Sequence, residues 1–409
     1  MATCYVLAED LRPGLETVRR FAATRSSLPI LNNILLMAKD DSLLVGASNL
    51  ETFAWVKIPA AIDPEFAITV PARTLCDTLE RKSTGVLELE TNVATQSLRL
   101  DIAGRVANLL GLDASDFPNL PDCKTEATRY PTRAWVEAVQ HVVPFASPTG
   151  ESPARPILKA LQWTLGRLVA ADNIRVGIAE LKGDGPDLPT CLVPALALGT
   201  ISQTLSMFAT EDVKARVKAM KDSYKVLDIP RMHYASVLRE LECKLRQQYE
   251  SVHVQYHVER NCIIVWCGPL SFAVQCATGD YPNVDQYICQ ATPTEAVVAT
   301  EDLLPTLKSL HVINRDKWGD YPGRVQMRLN GTLELTAESK NVGRSTFTLP
   351  CSKTGPDIDT AINGEWLRNL VKGLHSESVT LRFASPHLPI LVSATTKPHL
   401  TAAIMPMRA

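Results

Sequence analysis

Four side chains close together in the sequence could hold a metal ion: His253, His257, Cys262 and Cys267. Imidazole and thiolate are the usual ligands of zinc. In "SVHVQYHVE" the valines and Tyr256 alternate with the histidines, which puts both imidazoles on one face of a strand. The spacing is not that of a standard finger, and a solvent-facing strand explains the same pattern. A second cluster, Asp172, Asn173 and Arg175, offers a carboxylate beside a cation. Asp and Asn side by side are also what a tight turn uses, and the turn reading is preferred. Phosphate-binding, dinucleotide, zincin and nucleophile-elbow motifs do not occur. The expectation is therefore no catalytic residue, no metal and no cofactor. A metal-dependent or hydrolytic enzyme on duplicated α+β domains is the alternative, and a protein-binding scaffold that does not form a ring is another.

Cations offer a different chemistry. Lysine and arginine recur on stretches with helical character: Arg12, Arg19, Arg20, Arg73, Arg81, Lys82, Arg231, Arg239, Lys244, Arg246, Lys308, Arg368 and Lys372. Glu16, Asp77, Glu80, Glu240 and Glu242 are interspersed. One reading is the solvated faces of amphipathic helices. The other is a shared basic face turned to a phosphate backbone, with contacts that ignore sequence and weaken with salt. The net charge of -2 gives no global attraction to nucleic acid, so any such site must come from charge placed on one face.

The final residues, "TAAIMPMRA", carry a third signal. Chain ends are usually polar and frayed. Ile404, Met405, Pro406 and Met407 are apolar, with Arg408 as the only charge. Such a tail is either a last edge strand or the lining of a surface that something else covers.

The elements that must position these groups repeat along the chain. "VPAR" (70–73) leads into helical "TLCDTLERK", two period-2 runs and a closing "DFPN" (116–119). "IPR" (229–231) leads into helical "MHYASVLRELECKL", three strand-like runs and "DYPN" (280–283). Proline suits a helix start because its missing N–H would be unpaired there. A competing Val193-Pro194 is set aside, because Ile229-Pro230 lies at a better-matched distance from its closing motif. "LPILNNILLMAKDDSLLVGASNLE" (28–51) and "RPILKALQWTLGRLVAADNIR" (155–175) share a Pro-Ile-Leu, strand, turn and strand. The last third shows the same grammar. Six helix-then-strands units are predicted, with helices at about 9–23, 71–82, 132–143, 231–247, 300–312 and 363–374. Each helix must lay an apolar stripe on a sheet.

Polar linkers at 122–131 and 289–297 give domains 1–124, 128–290 and 296–409, with a surplus segment at about 183–226. With 45% hydrophobic residues the chain can fill cores of that size. The start "MATCYVLAEDLRPG" is not a secretory signal, "CLVPALALGTI" is too short for a membrane span, and ten scattered cysteines fit a reducing, cytoplasmic setting.

In order, "RSSLPILNNILL" (25–36), "VPAR", "DASDFPNLP" (113–121), "RPIL" (155–158), "AADNIRV" (170–176), "DYPNV" (280–284), "VINRDKW" (312–318) and "IMPMRA" resemble the bacterial DNA polymerase III beta subunit, the sliding clamp. The resemblance implies an α+β fold of three clamp domains, each of two helix-plus-strands repeats. It implies a head-to-tail homodimer closed into a ring around duplex DNA, with no catalysis. It further implies tethering of polymerase, clamp loader and other clients through short linear peptides. The implied peptide pocket comprises Leu158, Arg175, Val176, Pro282, Gln286, Tyr287, Met405, Pro406, Met407 and Arg408. Arg25, Arg73, Arg81, Arg239 and Arg246 are the implied DNA contacts, and Leu109 would meet Val312 and Ile313 of the other copy. Asn173, Ile174, Gln286 and Ala107 depart from the residues usual in the family.

Overall fold

The structure is a computed structural model. It describes every residue except 80–84, 93, 103, 120, 122–125, 148–154, 227–230, 289–290, 314–322 and 408–409. The side chains of 209–212, 215–216, 219–220, 222–226 and 231–236 are likewise not described. The expected Ile229-Pro230 helix start, Arg81 and Arg408 therefore lie wholly or partly outside the described residues.

The chain packs as two compact units. The first holds residues 1–136, 183–188 and 197–276. Its larger sheet has the order β10 (Thr128–Pro131), β15 (Ser251–His257), β16 (Cys262–Cys267), β17 (Leu270–Gln275), β4 (Thr52–Pro59), β3 (Ser42–Ser48), β2 (Asn33–Lys39) and β6 (Phe66–Pro71). A smaller sheet runs β5 (Ala61–Asp63), β1 (Ala2–Leu7), β7 (Val86–Asn92), β8 (Ser97–Ile102) and β9 (Arg105–Leu110). Helix α1 (Ala8–Val18) buries Leu11, Leu15 and Val18 against β3 and β4, and helix α2 (Ala72–Thr78) buries Leu75. Burying a leucine contributes roughly 2 kcal/mol, so these short helices hold by packing rather than by propensity. Gly14 lets α1 approach the sheet, since a Cβ there would meet Ile58 at 3.0 Å.

The second unit holds residues 137–182, 189–196 and 277–409. Its larger sheet has the order β14 (Cys191–Pro194), β11 (Ala160–Thr164), β12 (Arg167–Ala171), β13 (Arg175–Glu180), β26 (Lys397–Ile404), β25 (Ile390–Ala394), β24 (Ser378–Phe383), β18 (Thr294–Ala299) and β22 (Ser352–Thr354). A four-stranded sheet runs β21 (Gly343–Pro350), β20 (Thr332–Ser339), β19 (Arg324–Leu329) and β23 (Ile358–Asn363). Helices α6 (Thr300–Ile313) and α7 (Gly364–Leu374) pack together. The start of α7 is fixed by Asn363, whose side chain accepts from the amides of Glu365 and Trp366. His375, left-handed at φ 46°, ends it. Helix α3 (Thr132–Val142) is shared between the units, and α4 (Ala195–Val226) and α5 (Arg231–Gln247) follow β14.

Two expectations need correction, and one open alternative is decided. Val193-Pro194, set aside on spacing, is a strand–proline–helix junction equivalent to the one at Val70-Pro71, whereas the helix expected at 231–247 is α5 and the Ile229-Pro230 before it lies outside the described residues. Strand β14 pairs with β11 (Ala160↔Pro194, Leu161↔Val193) as β6 pairs with β2 (Asn33↔Pro71, Ile34↔Val70). The surplus thus lengthens the helix after this junction, and spacing to the closing motif is a misleading guide. The linker placed at 289–297 overlaps β18, which begins at Thr294. Of the two readings of the C-terminal segment, the edge strand falls away: β26 lies inside its sheet, paired on both sides.

Candidate functional site

The pairing of β26 with β13 builds a cavity in the second unit. Arg175 is opposite Ile404 and Val176 opposite Ala403, so the chain leaving β26 runs beside the turn before β13. The Met405 amide donates to the Ile174 carbonyl at 2.9 Å. The resulting cavity is about 150 Å³. Its walls include Arg155, Leu158, Asp172, Ile174, Arg175, Val176, Pro282, Tyr287, Ala403 and Met405.

Asp172 shapes the rim. Its Oδ1 accepts from the amides of Ile174 and Arg175 at 2.8 and 2.6 Å, the turn geometry expected of an Asx residue. Its Oδ2 accepts from Arg175 Nε and Nη2 at 2.8 and 2.6 Å. The Arg175 Cζ lies 5.9 Å from the centre of the Phe145 ring and 5.4 Å from that of Trp366. A planar cation held between two rings and fixed by a carboxylate is a rigid wall. Gly177 makes this possible, because a Cβ there would overlap the Phe145 ring.

The opposite wall comes from the "DYPNV" segment. The Tyr281 hydroxyl accepts from the Ala171 amide at 2.8 Å, and burial pushes its pKa up to about 12. Val284 is buried with Val169, Ala171, Val176, Ile178, Leu391 and Ala403. The turn Asp285–Tyr287 that follows leaves Tyr287 41% exposed at the mouth. The site is a largely apolar hollow walled by two arginines, Arg155 and the fixed Arg175, with an exposed ring at its mouth.

Of the residues expected in a pocket, Leu158, Arg175, Val176, Pro282, Tyr287 and Met405 meet here. Gln286 is exposed on the neighbouring turn, where its amide donates to the Asn283 carbonyl. Pro406 and Met407 are not among the cavity's walls, and the Met407 amide donates to the Ala361 carbonyl of β23. Arg155 is a wall that sequence reasoning missed, although it opens the "RPIL" motif.

The expected DNA contacts differ in how freely they present charge. Arg25 is exposed in the loop after α1. Arg73 is 87% exposed in its side chain, 3.6 Å from Asp77. Arg239 is exposed, whereas Arg246 gives both Nε and Nη2 to Glu242. Lys244 pairs with Glu240, which raises the lysine pKa and lowers that of the glutamate. For the expected seam, Leu109 is half-buried on edge strand β9, Val312 is 61% exposed and Ile313 half-buried at the end of α6.

The candidate metal ligands do not converge. His253, His257 and Cys262 share one face of β15 and β16, while Cys267 faces the other. The His253 ring stacks on Trp266 with centroids 5.3 Å apart. Among the described residues no three His, Cys, Asp or Glu side chains form a metal-sized group, and no described helix is long and apolar enough to cross a membrane.

Comparison with known proteins agrees with this architecture. A family model for the DNA polymerase III beta subunit, N-terminal domain, matches residues 5–121, and one for the C-terminal domain matches 288–408. The beta sliding clamp of Bacillus subtilis is 20% identical over 417 residues, covering 98% of each chain. A beta sliding clamp homolog, GriR, of Streptomyces muensis is 27% identical over 387 residues, covering 92% of this chain and 90% of that one. The solved DNA polymerase sliding clamp of Bacillus subtilis matches with a TM-score of 0.81 at 18% identity, covering 100% of this chain and 99% of that one. The DNA polymerase III beta subunit of Thermotoga maritima matches with a TM-score of 0.78 at 18% identity, covering 100% of each. The fold is thus the three-domain α+β fold of those clamps. With the same subunit's domain models matched on both flanks and the fold shared end to end, the chain belongs to the DNA polymerase III beta-subunit family, the bacterial sliding clamps.

Proposed function

We propose that two copies of this chain close head to tail around duplex DNA and hold a polymerase, a clamp loader and other clients there through short apolar peptides. The family consists of non-catalytic processivity factors, so covalent chemistry is assigned to no residue. Tethering acts through effective concentration: a client that lets go of the primer end is still held nearby and rebinds at once. The observation that carries the reading is the cavity beside β26, where Leu158, Arg175, Pro282, Tyr287 and Met405 converge from distant parts of the chain.

In this reading the expected pocket, with Gln286, Pro406, Met407 and Arg408 among its members, receives the peptide. Arg25, Arg73, Arg81, Arg239 and Arg246 face the DNA, and Leu109 packs against Val312 and Ile313 of the second copy. Edge strand β9, with Leu110 77% exposed, is free to add to a sheet of that copy. The site of action is the cytoplasm.

Two measurements test this. Protein loaded on nicked circular DNA stays bound, and cutting the circle releases it; equal loss from circular and linear DNA would refute encirclement. Deleting Met405 to Ala409 abolishes binding of client peptides and leaves the solution size at that of a dimer. Peptide binding that survives the deletion would refute the pocket assignment.

A further inference from the structure

Helices α2 and α4 start from equivalent strand–proline junctions, yet α2 has 7 residues and α4 has 32. At 1.5 Å per residue α4 is about 48 Å long, so most of it outruns the repeat it begins in. Its first half packs in the manner of a repeat helix. Leu198, Ile201, Leu205 and Phe208 are buried, Ser202 Oγ donates to the Val136 carbonyl, and the Phe208 and Tyr249 rings are 6.3 Å apart.

The line of positions opposite that buried stripe changes character along the helix. Over the first half it reads Leu196, Thr200, Gln203 and Met207, with no charge. Beyond it the same line reads Lys214, Lys218, Lys221 and Lys225. At 3.6 residues per turn the four lysine positions fall within an arc of about 60°. Lys214 and Lys218 are exposed and Lys221 half-buried, and none of the three is ion-paired among the described residues. Residues 213–226 hold five basic residues against Asp222 alone, in a chain whose net charge is -2. Glu211 lies at the border of the same face. The line also meets another cation: Arg20 Nη1 lies 3.6 Å from Met207 Sδ.

We infer that the extended part of α4 is a second contact for duplex DNA, in which Lys214, Lys218 and Lys221 sit along the phosphate backbone. Ammonium groups spaced about 4.5–6 Å along a helix axis form a linear cation, which matches a linear polyanion. The exposed apolar positions of the line, Leu196 and Met207, lie in its first half, and the lysine positions beyond them offer no aromatic or apolar anchor of the kind that dominates protein interfaces. The inference rests on the reading that this chain holds DNA, but it requires no closed ring.

The test uses the full-length protein and a fluorescein-labelled 30-bp duplex, with anisotropy read between about 50 and 200 mM salt. In the variant K214Q/K218Q/K221Q the slope of log K against log salt falls in magnitude by about 2.7, at about 0.9 for each phosphate no longer neutralised, and affinity at the lowest salt drops at least about ten-fold. The single variant Lys218→Gln shifts the slope by about 0.9, and K214R/K218R/K221R keeps the parent slope. An unchanged slope in the glutamine variants overturns the inference, as does an arginine variant as weak as the triple glutamine one. Retention on nicked circles is measured in parallel. Its failure in the parent protein would sink encirclement without altering the slopes, whereas retention with unchanged slopes would sink the α4 contact alone.

Discussion

Each unit contains a seam where strands more than two hundred residues apart join, and the two seams are finished differently. In the first unit β17 pairs with β4, and in the second β13 pairs with β26. Both are antiparallel and both place a buried alanine at the join, Ala273 and Ala403. Around Ala273 the strands supply their own cover: Phe53, Trp55 and Trp266 lie over Cys262, Ile264 and Ala273. Around Ala403 the neighbours are aliphatic, and a separate segment carrying Tyr281, Val284 and Ile288 is laid across them. Rings from the strands fill the first join. The borrowed cover over the second leaves a cavity of about 150 Å³. Aromatic residues bury large areas per residue, so a seam whose own two strands carry none is left for other segments to cover.

The sharpest way to break this comparison is to give the second seam the filling of the first. Ala403→Phe inserts a ring where the cavity now is. Peptide affinity is expected to fall more than about 100-fold, at a stability cost of about 1–3 kcal/mol from overpacking. Titration of a labelled client peptide and a thermal melt check both figures. Full peptide affinity in a folded variant would mean that ligand binds elsewhere. A smaller effect comes from emptying the first seam. Trp266→Ala should cost about 2–3 kcal/mol, less than for a fully buried tryptophan, and leave peptide binding unchanged. Denaturant unfolding read alongside the same titration tests this, and coupled losses would contradict the independence of the seams.

The smallest effect is a pH dependence of β26. His141 on α3 is buried with its ring beside Phe145, and Nε2 lies 3.1 Å from the Thr401 carbonyl, to which it donates. Burial lowers its pKa below the ordinary 6.5, with the carbonyl hydrogen bond opposing. Charged neighbours are His399, Glu137 and Lys397, the last two ion-paired. The unfolded chain therefore takes up a proton first as pH falls. The stability contributed by neutral His141 is present above about 6.5 and is lost progressively below it. Melting temperatures of the parent protein and His141→Gln, compared between pH 7.5 and 5.5, should converge as the parent loses its advantage.

Much of the architecture is legible in residues whose pattern is local. The helices expected at 300–312 and 363–374 are α6 and α7 to within a residue, because their apolar periodicity marks them; Asn363 caps α7, while the buried Thr300 hydroxyl caps nothing in α6. The turn role of Asp172 follows from its type alone. What depends on distant pairing is not legible. The tail reads as a possible edge because nothing in "TAAIMPMRA" reveals that β13 and β25 leave a slot between them. Val193-Pro194 escapes a reading by spacing because a helix lengthened from within displaces the closing motif while keeping the junction. Arg155 carries only its place in "RPIL", and its part in the cavity depends on a turn more than a hundred residues further on.

The slot that β26 occupies has a kinetic side. Arg175 and Ile404 are more than two hundred residues apart, as are Phe53 and Ala273 at the other seam. Such pairings cost more loop-closure entropy than local ones and slow folding. The cavity and the last registered strand of the second unit are then one event, so a partially folded chain has nothing to offer a client. Ligand that binds only the finished state also pulls the folding equilibrium toward it, and the melting temperature should rise with peptide concentration.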